Sequence, residues 1–217
     1  LEAGGGAVTG RVGRVGGGGA APSRDHIRVD GRRLPPARHH LYWVLNKPRG
    51  VVSTLSDPQG RPTLADFVPP RAGRLFHVGR LDADTEGLII LTNDGDLAQR
   101  LSHPSFEVSK TYLAEVAGVV ESPTLARLRR GITLEDGPAK VDQIKLQAVH
   151  QANSLVRLSL HSGRHRVVRR LFEAVGHPVR RLARVRVGPI RLGDLKPGQT
   201  RPLTRDELGD LFDAVGL

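Results

Sequence analysis

Apolar residues fall in short runs separated by turn-forming residues. Leu41-Tyr42-Trp43-Val44-Leu45-Asn46 is aromatic and aliphatic, and Gly87-Leu88-Ile89-Ile90-Leu91-Thr92 is almost continuously apolar, so both predict buried strands. Between them, Lys47-Pro48-Arg49-Gly50 reads as a turn, 51–53 as extended chain and 75–78 as a further strand. Asn93-Asp94-Gly95 turns into a helix around 97–101. A strand over 110–116 and a helix over 122–130, stopped by Gly131, come next. Strands over 143–149 and 154–161 lead into a basic helix over 165–175, which Gly176-His177-Pro178 ends. A strand over 179–187 and a Gly/Pro turn precede a last helix, opened by the capping-box sequence Thr204-Arg205-Asp206-Glu207. Strands outnumber helices and several are linked as hairpins. That predicts an α+β fold with a mixed, mainly antiparallel sheet flanked by helices.

The first part of the chain differs. Nine of the first twenty residues are Gly, and residues 1–22 bury little, which alone reads as a flexible tail. Residues 25–31 then form a short alternating strand ending in an Asp-Gly turn, and Pro35-Pro36 starts a linker reaching about His40. The division expected is 1–39 and 40–217.

Composition bounds the function. No apolar run approaches the roughly 18 residues that span a membrane, so no membrane partner is expected. The opening residues lack the charged-then-apolar order of a signal peptide. The chain has no Met, the initiator included, and so reads as a fragment or processed form. It has no Cys, which removes disulfides, thiolate nucleophiles and cysteine-ligated metals and fits a reducing, cytoplasmic interior. The nine His have no spacing that forms a ligand set with nearby carboxylates, so no metal is expected.

A formal charge of +11 points to a polyanion, most commonly nucleic acid. Of 33 basic residues 28 are Arg, a skew that genome composition can produce, but that bias does not explain basic over acidic. Position is more informative. Residues 161–191 hold nine Arg and one acid, Glu173, for +8 in 31 residues. Most of the excess charge therefore lies in one segment.

The most unusual stretch is Gly79-Arg80-Leu81-Asp82-Ala83-Asp84-Thr85-Glu86-Gly87, with three acids and one Arg between turn glycines. A buried strand follows at once, so the loop is anchored at a sheet edge, where functional side chains are often placed. An Arg two residues before an Asp can keep that carboxylate ionised, as a nucleophile requires.

Gly79-Arg80-Leu81-Asp82, Asp84-Thr85 and 87–95 together resemble the catalytic motif of the RsuA/RluB/RluE/RluF branch of the pseudouridine synthases. Asn46-Lys47-Pro48-Arg49-Gly50 is similar to the family's opening motif, and Lys110-Thr111-Tyr112 to the segment that supplies an active-site Tyr. Residues 163–172 resemble its basic helix motif, and 187–198 its C-terminal segment. These motifs stand in the family's order over about residues 41–205. Ala7-Val8-Thr9-Gly10-Arg11-Val12 through 25–31 resembles the later half of the S4 RNA-binding domain that precedes the catalytic domain in this branch.

The resemblance implies the pseudouridine synthase fold and a cofactor-free isomerisation of uridine to pseudouridine in ribosomal RNA. The partner is expected to be 23S ahead of 16S rRNA, free or in an assembling subunit, and the protein a monomer. Asp82 matches the nucleophile, Arg169 the Arg that pairs with it, and Tyr112 the Tyr that stacks near the target base. Arg80 and Thr85 flank the nucleophile and would shape its loop, and Lys47 supports the site. Arg164, Arg166 and Arg170 would bind RNA phosphates. The basic motif departs from the family at His165 and Val167, where Asn and Gln are usual. Two other readings stay open: a catalytically silent ribosome-assembly or RNA-binding protein of the same fold, and a nuclease or glycosidase using the acidic loop. Against a nuclease, Asp82 and Asp84 are expected to diverge.

Overall fold

In the computed structural model, residues 39–217 are described, Arg71 by its backbone alone; before them only the backbone of four short strands is described. The chain divides into two compact units, 1–40 and 41–217. In the first, β1 (Gly6–Val8), β2 (Arg11–Gly13), β3 (Ile27–Val29) and β4 (Arg32–Arg33) form an antiparallel sheet in the order β2-β1-β3-β4. β3 falls inside the strand expected over 25–31. β1 and β2 fall on the stretch 7–12 that also resembles an S4 domain, and the residues between these strands lie outside the described ones.

The second unit is built on β5 (Tyr42–Lys47), β6 (Phe76–Val78), β7 (Thr85–Thr92), β8 (Lys110–Ala117), the hairpin β9 (Ile132–Leu134) and β10 (Gly137–Ala139), β11 (Gln143–His150), β12 (Asn153–Leu160), β13 (Val179–Val187), β14 (Ile190–Arg191) and β15 (Thr200–Pro202). Four helices, α1 (Gly95–Ser102), α2 (Ser122–Arg130), α3 (Val167–Glu173) and α4 (Arg205–Val215), complete it. The large sheet runs β11-β12-β8-β13-β7-β5-β15, with β14 on β13 and β6 on β7. β13 and β7 pair in parallel, and the other strand pairs of this sheet are antiparallel. The architecture is the mixed, mainly antiparallel α+β sheet expected.

Two apolar layers explain the two kinds of strand. On one face α2 and α3 contribute Leu128, Val168, Leu171 and Phe172 to a core with Leu45, Ile89, Tyr112, Val156 and Leu182. On the other, Leu97 and Leu101 of α1 and Leu211 and Val215 of α4 pack on Val44, Leu88, Ile90 and Val187. β7 alternates between the layers and is buried on both sides, hence its unbroken apolar run. β8 and β12 bury only alternate residues, as half-covered strands do. Each fully buried Leu or Ile contributes about 1.5–3 kcal/mol.

Helix ends follow local rules. Asp94 caps α1 through Leu97 N, and Thr204 and Glu207 form the expected capping box on α4. The basic helix starts at Val167 rather than 165, because Arg166 has a left-handed φ of 49°. Residues 161–166 are therefore a loop.

Candidate active site

The acidic loop and the opening motif meet here. Ser53 Oγ donates to Leu81 O at 2.6 Å and accepts from Leu81 N at 3.0 Å, so one hydroxyl clamps both sides of that residue. Gly50 N donates to Ala83 O, and Thr85 N closes a turn onto Asp82 O. Leu81 is buried in the core beneath. The backbone around Asp82 is thus fixed on four points while its side chain stays partly open.

Lys47 sits under this arrangement, fully buried. Its Nζ donates to Pro48 O at 3.0 Å and Val51 O at 2.7 Å, pinning the turn that holds the loop. Burial pushes its ammonium down to about 8, against the opposing pull of Asp82, Asp84 and Glu86.

A cavity of about 280 Å³ opens beside the loop, lined among others by Arg80, Asp82, Thr85, Lys110, Tyr112 and Arg184. It stands near the lower end of ligand pockets, which begin at about 300 Å³. Asp82 is the one carboxylate among its described lining residues. Tyr112, on β8, is 9% exposed and walls the cavity, and its hydroxyl has no hydrogen-bond partner among the described residues. Arg80 is exposed at the rim.

The arginines pair differently from expectation. Arg169, expected on Asp82, instead donates through Nη2 to Asp84 O at 2.9 Å and Thr85 Oγ1 at 3.3 Å, and through Nη1 to Val179 O. The same Nη2 lies 3.3 Å from the Asp84 carboxylate. Arg166 donates twice to Asp84, at 3.2 and 3.0 Å, and its Nη1 lies 3.7 Å from Asp82 Oδ2. Burial raises the Asp84 carboxyl, but the Arg166 bonds and the charges of Arg169 and Arg166 outweigh it and hold Asp84 below the usual carboxylate range. His165 Nε2 approaches Asp82 Oδ1 at 3.8 Å from an exposed position. Asp82 and Asp84 do not diverge as expected: Arg166 reaches both carboxylates, and even on a strand residues two apart would share a face.

Arg164 and Arg170 are also engaged. Arg164 Nη1 and Arg170 Nη1 reach Asp136 at 3.0 and 2.9 Å, and Arg164 Nη2 bonds Pro138 O. Two of the three arginines expected on phosphate thus tie the basic segment to the β9–β10 hairpin. The basic segment also supplies a lining residue the motif reading left aside. Arg184, 4% exposed, donates from Nε to Leu88 O at 2.8 Å. A period-two reading of Leu182-Ala183-Arg184 carries that signal, since it puts Arg184 on the buried side with Leu182.

Comparison with known proteins identifies relatives of the second unit and of most of the chain. The family model described as RNA pseudouridylate synthase matches residues 41–174. An uncharacterized RNA pseudouridine synthase of Mycobacterium leprae is 51% identical over 199 residues, covering 90% of this chain and 78% of that protein. Ribosomal large subunit pseudouridine synthase B of Bacillus subtilis is 42% identical over 187 residues, 85% of this chain and 76% of its own. A solved pseudouridylate synthase superposes with a TM-score of 0.71 at 35% identity, covering 95% of this chain and 88% of that one. With half of its length or more matched by that family model and relatives this similar over most of their own length, the chain belongs to the RNA pseudouridine synthase family.

Proposed function

We propose that this protein converts one uridine of large-subunit (23S) ribosomal RNA to pseudouridine, with Asp82 as nucleophile. The observation that carries the reading is Asp82 itself: a carboxylate on a fixed backbone, alone of its kind among the described lining residues of a cavity walled by Tyr112. The choice of RNA rests on the likeness to proteins named ribosomal large subunit pseudouridine synthase B. The protein would act as a monomer, in the cytoplasm, on free RNA or an assembling subunit.

The reaction breaks the bond from ribose C1′ to uracil N1, turns the base and joins C5 to C1′. The uridine leaves its stack to reach Asp82, at a cost of a few kcal/mol. Stacking on Tyr112 returns about 1–3 kcal/mol of that. Arg169 acts on the loop through Asp84 and Thr85, and Arg166 supplies positive charge beside Asp82. Arg80 at the rim is placed to meet backbone phosphate, which positions RNA without reading its bases. By sequence resemblance alone, the unit before Leu41 is read as part of an S4 domain that adds RNA contacts.

The test is pseudouridine mapping on unmodified ribosomal RNA after incubation with the protein and, separately, with Asp82→Asn. A new pseudouridine made only by the unaltered chain identifies nucleophile and target together. Product from both would remove Asp82 from the chemistry. Product from neither, despite tight RNA binding, would favour a silent assembly factor.

A further inference from the structure

We propose that Arg184 and Lys110 form an anion site for the uracil ring, stabilising the negative charge the base carries while it is detached from ribose. The inference rests on the proposed function, since without cleavage of the glycosidic bond there is no such anion.

Five basic side chains of Lys and Arg line the cavity against the single carboxylate of Asp82: Arg80, Lys110, Arg164, Arg166 and Arg184. Arg166 is committed to Asp84 and Arg164 to Asp136. Arg184 and Lys110 have no carboxylate within ion-pair distance among the described residues. Arg184 is almost wholly buried, yet beyond its Nε bond to Leu88 O its two Nη groups find no partner among the described residues. They are not sealed in the core either, and Arg184 is one of the residues that line the cavity. Lys110 Nζ meets only the carbonyls of Val108 at 3.0 Å and His161 at 3.5 Å. Burial and the charge of Arg184 push its ammonium down to about 8, so the two cations disfavour each other. Unpaired cations inside a fold are costly, and such placements persist at sites that use them.

Their position relative to Tyr112 fits a base. Arg184 is the direct cross-strand partner of Tyr112, and Lys110 precedes Tyr112 by two on β8, on the same face of the sheet. A ring stacked on Tyr112 would have a cation near its edge on either side.

The chemistry calls for cations there. Whether Asp82 takes up C1′ or the proton of C2′, the electron pair of the C1′–N1 bond goes to the base. The resulting uracil monoanion spreads its charge over N1 and the exocyclic oxygens O2 and O4. The base then turns and returns a pair from C5 to C1′, and Asp82 gives up the carbon or returns the proton. C5 loses a proton and N1 gains one, so uridine and pseudouridine have the same composition. Cations fixed in a dry pocket favour that detached anion over the bound, neutral uridine.

The test uses the full chain and three free ligands at constant ionic strength: barbiturate, a pyrimidine ring that is an anion at neutral pH; uracil, which is neutral; and inorganic phosphate. Barbiturate should bind at least about tenfold more tightly than uracil, as an analogue of the charged state should. Arg184→Gln should erase that preference and Arg184→Lys should keep part of it. Single-turnover product formation should fall about 100-fold in Arg184→Gln with RNA affinity unchanged within twofold. A preference that survives Arg184→Gln overturns the inference, as does phosphate competing as well as barbiturate, which would assign the cations to the RNA backbone. Should Arg184→Gln fail to fold by circular dichroism, Lys110→Met carries the same comparison. Absence of isomerisation by the unaltered chain sinks the proposed function. Intact isomerisation without the barbiturate preference sinks this inference alone.

Discussion

The backbone of Arg184 passes Gly87 so closely that a Cβ there would stand 2.2 Å from the Arg184 carbonyl oxygen and 2.6 Å from its nitrogen. The contact joins the parallel pair β7–β13, so it sets how near the cavity-lining Arg184 comes to the acidic loop. Gly87→Ala should therefore combine left-handed strain with overpacking, for about 3–5 kcal/mol. Gly50→Ala, at a φ of 88° but with nothing within 4 Å, should cost only the strain, about 1–3 kcal/mol. Denaturant midpoints of the two variants decide this, and equal losses would mean that the strands part without resistance.

Arg166 combines an ion-pairing side chain with a left-handed backbone. Arg166→Gly and Arg166→Ala both remove the guanidinium from Asp84, but Gly adopts the φ of 49° freely. Arg166→Gly should be the more stable of the two by about 1 kcal/mol. Both should slow isomerisation alike, so a difference in rate that tracks stability would show the side chain to be dispensable.

Lys47 makes stability depend on pH. Its folded value of about 8 lies below the ordinary 10.5, so between those values the unfolded chain binds more protons. Stability then rises with pH across that window, and Lys110 contributes in the same direction. Unfolding midpoints at pH 7.5 and 9.5 should show the stability of Lys47→Met falling relative to the unaltered chain as pH rises. Parallel curves would mean that Lys47 titrates normally.

Asp136 holds Arg164 and Arg170 away from RNA or shares them with it. Asp136→Asn removes the ion pairs of both guanidinium groups, although Arg164 keeps its bonds to the Asp136 and Pro138 carbonyls, and should raise RNA affinity several-fold at low salt. It should also steepen the fall of affinity with salt, by about 0.9 in the logarithmic slope for each added phosphate contact. An unchanged slope would assign both arginines to holding the β9–β10 hairpin.

Much of the fold was legible because burial leaves its mark in residue order. β5 and β7 read as buried runs, and α2 and α4 announced their ends through Gly131 and the Thr204–Glu207 box. The β9–β10 hairpin did not, since strands of three residues are too short to display a period. In the site, Asp82 and Tyr112 could be placed from motif order. Which arginine meets which aspartate could not. Arg164, Arg166, Arg169 and Arg170 stand close together in sequence, and their reach depends on where the helix begins. One left-handed residue moved that start to Val167 and gave Asp84, not Asp82, the close contacts. Arg184 was legible by its period but looked like one basic residue among nine.

The 3.7 Å between Arg166 and Asp82 has a consequence for reactivity. A carboxylate gripped by a guanidinium stays ionised but has its lone pairs covered, and must shed a partner before it can attack. With its hydrogen bonds turned to Asp84, Arg166 lends Asp82 a favourable potential from just outside bonding range. The Asp82 carboxylate accepts no hydrogen bond among the described residues, so in the proposed reaction it would approach carbon without first breaking one.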